Sequence, residues 1–107
     1  MQGTLELAPR YLEMVLEILR ELVPGREVRV FGSRARGTAR KHSDLDLLVL
    51  GSEPLGFMVV GGLIDAFQES DLPMRVDVTD RASVSPSFLA HIDALPQVVI
   101  QPAARVD

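Results

Sequence analysis

The chain has 107 residues, 47% hydrophobic and 24% charged, with a net charge of -4 and a pI of about 5.1. That balance excludes wholesale disorder, and the acidic total argues against a general nucleic-acid binder. There is no Cys, which excludes a disulfide scaffold, a thiolate metal site and a cysteine nucleophile, and no apolar run approaches the roughly 18 residues of a membrane span.

In chain order, Met1-Gln2-Gly3-Thr4-Leu5-Glu6 lacks the basic segment followed by an apolar one that marks a signal peptide, so the expected address is the cytoplasm. Pro9 suits the first position of a helix, where its missing N–H costs nothing. Leu12, Val15, Leu16, Leu19, Leu22 and Val23 recur at three- and four-residue spacing, which predicts an amphipathic helix over 9–23, ended by Pro24-Gly25. Val28, Val30 and Phe31 predict a short strand stopped at Gly32-Ser33, ahead of a helical turn. Leu45 to Leu50 is too apolar for a strand exposed on one side, and Gly51 stops it. Ser52 and Pro54 suit the start of another helix, with Phe57, Val60, Gly61, Ile64 and Phe67 expected on its inner face. Gly61-Gly62 inside that helix suggests close packing on a sheet, since each costs about 1 kcal/mol relative to Ala. Met74 to Val78 predicts a third strand. Ser85-Pro86 opens a short helix with Phe88, Leu89, Ile92 and Leu95 expected inward, and Val98-Val99-Ile100 reads as a last strand before a loose tail after Pro102. The order predicts an α/β domain, a small sheet with helices packed on it.

Charge is uneven along this order. Between Arg26 and His42, six bases (Arg26, Arg29, Arg34, Arg36, Arg40 and Lys41) face Glu27 alone, a local +5 against -9 for the remainder. A basic segment inside an acidic chain suggests a small anionic ligand rather than a long polyanion.

The chemistry concentrates at 32–47. Asp44 and Asp46 stand two apart at the head of a strand, so they share a face and repel unless a cation lies between them. Hard carboxylate oxygens suit Mg²⁺ or Mn²⁺. Gly32-Ser33 directly follows a strand. The glycine permits close approach of a ligand to the backbone, and the free N–H groups with the Ser33 hydroxyl suit a phosphate. Arg34, Arg36, Arg40 and Lys41 add positive charge nearby. A third carboxylate, Asp77, lies in an apolar strand between Val76 and Val78, where burial is expensive without a partner. Asp80 is its rival, and three residues along a strand reverse the facing, so both cannot point to one site. Asp77 is preferred because Asp80, followed by Arg81-Ala82-Ser83, suits the capping of a turn. A P-loop is excluded by Thr38 and Ala39 where Lys and Ser/Thr are required. His42 and His91 lack partners at ligand spacing.

Gly32-Ser33, ten intervening residues, then Asp44-x-Asp46 resembles the signature of the DNA polymerase β-like nucleotidyltransferase superfamily. The fuller G-S-R-A-R-G string with S-D-L-D-L is similar to its minimal nucleotidyltransferase branch, whose small members pair with HEPN-domain proteins. The resemblance implies a palm fold with a mixed sheet and one catalytic domain over 1–107. It also implies AMP transfer from ATP to a hydroxyl, with release of diphosphate. Two Mg²⁺ ions (Mn²⁺ being the alternative) would be held by Asp44 and Asp46, with Asp77 binding one of them. Gly32 and Ser33 would hold the terminal phosphates, and Arg34 or Arg36 would neutralise the triphosphate. The implied partner is a HEPN toxin adenylylated on a tyrosine, in a homo- or hetero-oligomer, with no direct nucleic acid or membrane contact. The alternatives are an antitoxin acting by binding alone and transfer to a small molecule such as an aminoglycoside.

Overall fold

The first helix, α1 (Pro9–Leu22), begins with Pro9 at its first turn and buries Val15 and Leu19 one turn apart. It stops one residue before the expected end, because Val23 leaves helical geometry at φ -133°. Gly25, at φ +82°, then reverses the chain. In the computed structural model, which describes residues 3–104, there follow β1 (Val28–Phe31), a one-turn α2 (Ser33–Arg36), β2 (Leu45–Val49), α3 (Phe57–Glu69), β3 (Val76–Asp80), a 3-10 turn at 81–83, α4 (Pro86–Asp93) and β4 (Val98–Gln101). Met1-Gln2 and the end of the tail, from Arg105 on, lie outside the described residues.

The four strands form one mixed sheet in the order β3-β2-β1-β4. β1 is antiparallel to β2 and to β4, whereas β2 and β3 are parallel and joined through α3, as a parallel pair requires. Strand alternation sorts the residues into two faces. Val28, Val30, Leu45, Leu47 and Val49 are fully buried and form the main core with Val15 and Leu19 of α1 and Leu63 and Phe67 of α3. Phe31, Asp46, Leu48, Asp77 and Thr79 occupy the other face. No helix among the described residues is long and apolar enough to cross a membrane.

Several elements differ from the sequence expectation. Helix α3 starts at Phe57, not near Ser52 and Pro54. Gly56, at φ +83°, interrupts the approach, and the preceding Leu55 N–H is donated to the Asp80 carboxylate at 2.8 Å. Its inner stripe is Val59, Leu63 and Phe67. Phe57 and Ile64 face solvent instead. A Cβ at Gly61 or Gly62 would meet nothing within 4 Å, so close packing inside this chain does not account for the pair. The third strand is displaced two residues toward Asp80. Met74, before it, is buried in the core. In α4, capped by the Ser85 hydroxyl, Ile92 turns inward while Phe88 stays exposed.

Candidate active site

The site forms where β1 turns into α2. Gly32 holds φ +77°, a conformation that favours glycine, and its Cα lies against the Asp46 carboxylate, so any Cβ there would collide with Oδ2. Gly37, at φ +79°, closes the α2 turn. The turn between Gly32 and Gly37 therefore sets Gly32 beside Asp46 of β2, with Ser33 the first residue of α2.

β2 supplies the carboxylates. Asp46 is the direct partner of Phe31 in β1 on one side and of Asp77 in β3 on the other. Asp44 lies two residues before Asp46 in extended chain. The Asp46 carboxyl is pushed up to about 6, first by burial, then by the Asp77 and Asp44 charges, with Arg75 pulling the other way. These couplings put the three carboxylates in one electrostatic neighbourhood. Asp77 itself is paired: Arg75 reaches its Oδ1 at 2.9 Å. Among the described residues no three acidic or imidazole groups are gathered closely enough to hold a metal ion as they stand. The donor set nevertheless fits a divalent cation, since three hard-oxygen ligands that repel one another are relieved by a charge of opposite sign.

The two candidates for third carboxylate are separated by strand parity. Asp77 faces Asp46. Asp80, three residues on, is buried and accepts hydrogen bonds from Leu55 N–H at 2.8 Å, Ser83 Oγ at 2.8 Å and Ala82 N–H at 3.3 Å. It caps the 3-10 turn, as the sequence suggested.

The basic segment is smaller than its composition implied. The Arg34 guanidinium is largely buried and donates to the carbonyls of Ser43 at 3.0 Å and Glu6 at 2.9 Å, so it braces the turn. Of the two arginines expected to meet a triphosphate, Arg36 is therefore the more exposed. Arg26 donates to the Leu50 and Glu53 carbonyls, and Arg29 is bonded to Glu27 and Gln97. Arg36, Arg40 and Lys41 remain exposed. Arg75 was not anticipated. Its signal was present, because it stands two residues before Asp77 and alternation puts it on the same face. The bracing role of Arg34 had no comparable signal, since its carbonyl partners are distant or irregular in sequence. His42 and His91 are both exposed.

A mixed sheet with paired carboxylates at the head of a central strand, facing a glycine–serine turn, defines a nucleotidyltransferase. The chain belongs to the nucleotidyltransferase domain family, whose model matches residues 12–94. It is 48% identical over 97 residues to "Probable protein adenylyltransferase MntA" of Haemophilus influenzae, covering 91% of this chain and 84% of that protein. Among solved structures it is similar to a toxin–antitoxin crystallised with AMP-PNP, at 25% identity and a TM-score of 0.69, over 86% of this chain and 73% of that one. An MntA–HepT toxin–antitoxin structure, 22% identical with a TM-score of 0.61 over 86% and 70% of the two chains, shares the fold.

Proposed function

We propose that this chain is a protein adenylyltransferase antitoxin that moves AMP from ATP to a tyrosine hydroxyl of a HEPN-domain toxin in the cytoplasm. The observation that carries the reading is the register of Asp46 against Asp77, with Asp44 beside them and the Gly32 turn closed over Asp46. The similarity to an adenylyltransferase and to toxin–antitoxin structures supports the acceptor class.

Asp44 and Asp46 would hold two divalent ions, Mg²⁺ or Mn²⁺, with Asp77 as the third ligand. When bound, such ions neutralise the triphosphate and stabilise both the attacking and the leaving oxygen. The N–H groups and hydroxyl at Gly32 and Ser33 hold the terminal phosphates, and exposed Arg36 balances their charge. Arg34 orients that turn from behind. Asp77 also orients the acceptor hydroxyl and takes its proton as the hydroxyl oxygen bonds to the α-phosphorus, the bond from that phosphorus to the α–β bridging oxygen breaks and diphosphate leaves. Few side chains are needed, because positioning and charge neutralisation supply most of the rate.

Incubation with labelled ATP, Mg²⁺ and the HEPN toxin, followed by mass spectrometry of the toxin, tests this. AMP on a toxin tyrosine is expected with the native chain and not with Asp44→Asn/Asp46→Asn. A toxin silenced equally well by the double variant would make the chain an antitoxin that acts by binding alone.

A further inference from the structure

The solvent side of α3 is apolar. Phe57 is 87% exposed and Met58 78%, and Ile64 is open one to two turns on, while Leu63 and Phe67 face the core. Between these side chains Gly61 and Gly62 are partly exposed, and a Cβ at either would meet nothing within 4 Å. Adjacent exposed Phe and Met on a helix mark an interaction surface more often than scattered single apolar residues do.

The patch extends to the candidate active site. A groove of about 450 Å³ runs between Phe57, Val60 and Phe88 on one side and the β3 edge on the other. A second, of about 540 Å³, shares Val78 with the first and continues past Ile64 to Arg75 and Asp77. β3 is an edge strand, paired within the sheet to β2 alone. Apolar surface therefore runs from the first turn of α3 to the third carboxylate.

Along α3 and its flanks the charge is one-sided, with Arg75, paired to Asp77, the cation at the border of the patch. From Gly51 to Met74 the sequence carries Glu53, Asp65, Glu69 and Asp71 and no Lys or Arg, and all four acids are exposed. An apolar patch in a negative field is complementary to an apolar patch ringed by cations. A second copy of this chain fits it poorly, because a two-fold contact would set the acidic rims against each other.

We infer that the α3 face, from Phe57 and Met58 to the groove at Asp77, docks the protein that carries the acceptor hydroxyl, through a surface of that protein that is apolar at its centre and Lys/Arg-rich at its rim. This rests on the protein-adenylylation reading above, in which the acceptor must reach Asp77. The docking face borders the edge strand β3, whereas the Gly32 turn follows β1 on the other side of β2, so nucleotide and partner approach from different directions. Phe57 and Met58 anchor the contact, and Asp65 and Glu69 steer it.

The test uses the full chain with the HEPN toxin as probe, titrated in the presence of Mg²⁺ and ATP. Phe57→Glu/Met58→Glu replaces exposed residues in a first helical turn, where acids are well tolerated, so its melting temperature is expected to match the native value. Its affinity for the toxin is expected to fall by roughly 100-fold, since buried aromatic anchors dominate such interfaces. Asp65→Lys/Glu69→Lys is expected to slow association by roughly tenfold, most at low salt. Both variants are expected to bind ATP as the native chain does. Native toxin affinity in Phe57→Glu/Met58→Glu overturns the inference. So does a native chain that dimerises alone through these residues and becomes monomeric in the variant. If the toxin is never adenylylated but its binding depends on Phe57, the docking face stands and the transfer reading falls. If native chain and variant adenylylate it equally, the docking face falls and the transfer reading stands.

Discussion

Asp46 is half-buried between two other carboxylates, and its pKa of about 6 measures what that placement costs. The folded protein binds this proton more tightly than the unfolded chain, whose carboxylates titrate near 4. The side chain therefore favours folding fully below about pH 4, and the benefit is lost as pH rises through about 6. The melting temperature of the metal-free protein is expected to fall between about pH 4 and pH 7 on this account, a fall that Asp46→Asn flattens. Adding Mg²⁺ or Mn²⁺ at neutral pH is expected to raise the native melting temperature and leave Asp46→Asn unmoved, both read by calorimetry. A flat native profile would mean that other groups offset the carboxylate repulsion. Asp77 and Asp80 divide differently. Asp77→Asn is expected to cost orders of magnitude in transfer with little change in stability, because its side chain is partly exposed and bonded only to Arg75. Asp80→Ala is expected to lose about 1–3 kcal/mol of stability, since Leu55 N–H, Ser83 Oγ and Ala82 N–H lose a buried acceptor. Chemical denaturation and an AMP-transfer assay separate the two effects. This division was legible in the sequence through strand parity and the turn residues after Asp80. The bracing bonds of Arg34 were not, because composition cannot say which carbonyls a guanidinium will find.

At the scale of elements, helices and strands were legible where apolar periodicity was strong, as in α1 and β2. They were less so where a loop contact sets the boundary. α3 begins late because Leu55 N–H is held by a residue 25 positions further along the chain. The same helix shows why inner faces are hard to assign from an apolar run. Val59, Val60, Leu63, Ile64 and Phe67 offer more hydrophobic residues than one face can bury, and the stripe with Leu63 and Phe67 wins. Gly61 and Gly62 then stand in open space with ordinary helical backbone. Gly61→Ala and Gly62→Ala are each expected to raise stability by up to about 1 kcal/mol, because nothing in the chain resists a methyl group and the backbone entropy cost of glycine is removed. Gly32→Ala is expected to do the reverse, since its positive φ and the Asp46 carboxylate both exclude a Cβ. Denaturation midpoints measure all three. If the α3 alanines stabilise the chain but weaken toxin binding, the glycines are retained for the partner and not for the fold.

Across the whole molecule the charges separate into two regions that the net value of -4 conceals. Arg26, Arg29 and Arg34 are engaged within the chain, so among the described residues the exposed cations of the basic stretch are Arg36, Arg40 and Lys41, which follow the Gly32 turn. The acids of 51–74 lie along α3 and its flanks. The sequence showed the blocks of charge, but only the fold shows which members reach water and that the blocks flank the carboxylates from different elements. Such an arrangement steers a polyphosphate toward the turn and a basic partner toward α3, and both attractions act through solvent. Arg40→Glu/Lys41→Glu is therefore expected to weaken ATP binding severalfold at low ionic strength while changing toxin affinity less. Among the described residues neither side chain has a hydrogen-bond or ion-pair partner, and both residues are exposed, so stability should hold. Salt shortens the screening length from about 10 Å at 0.1 M to about 3 Å at 1 M. The native and reversed chains should then converge in ATP affinity as salt rises, because the difference between them is long-range steering and not a contact. Calorimetric titration with ATP at several salt concentrations reads this directly. A gap that persists at high salt would mean that Arg40 or Lys41 touches the phosphates, and a larger loss in toxin binding than in ATP binding would move the partner from the acidic helix to the basic loop.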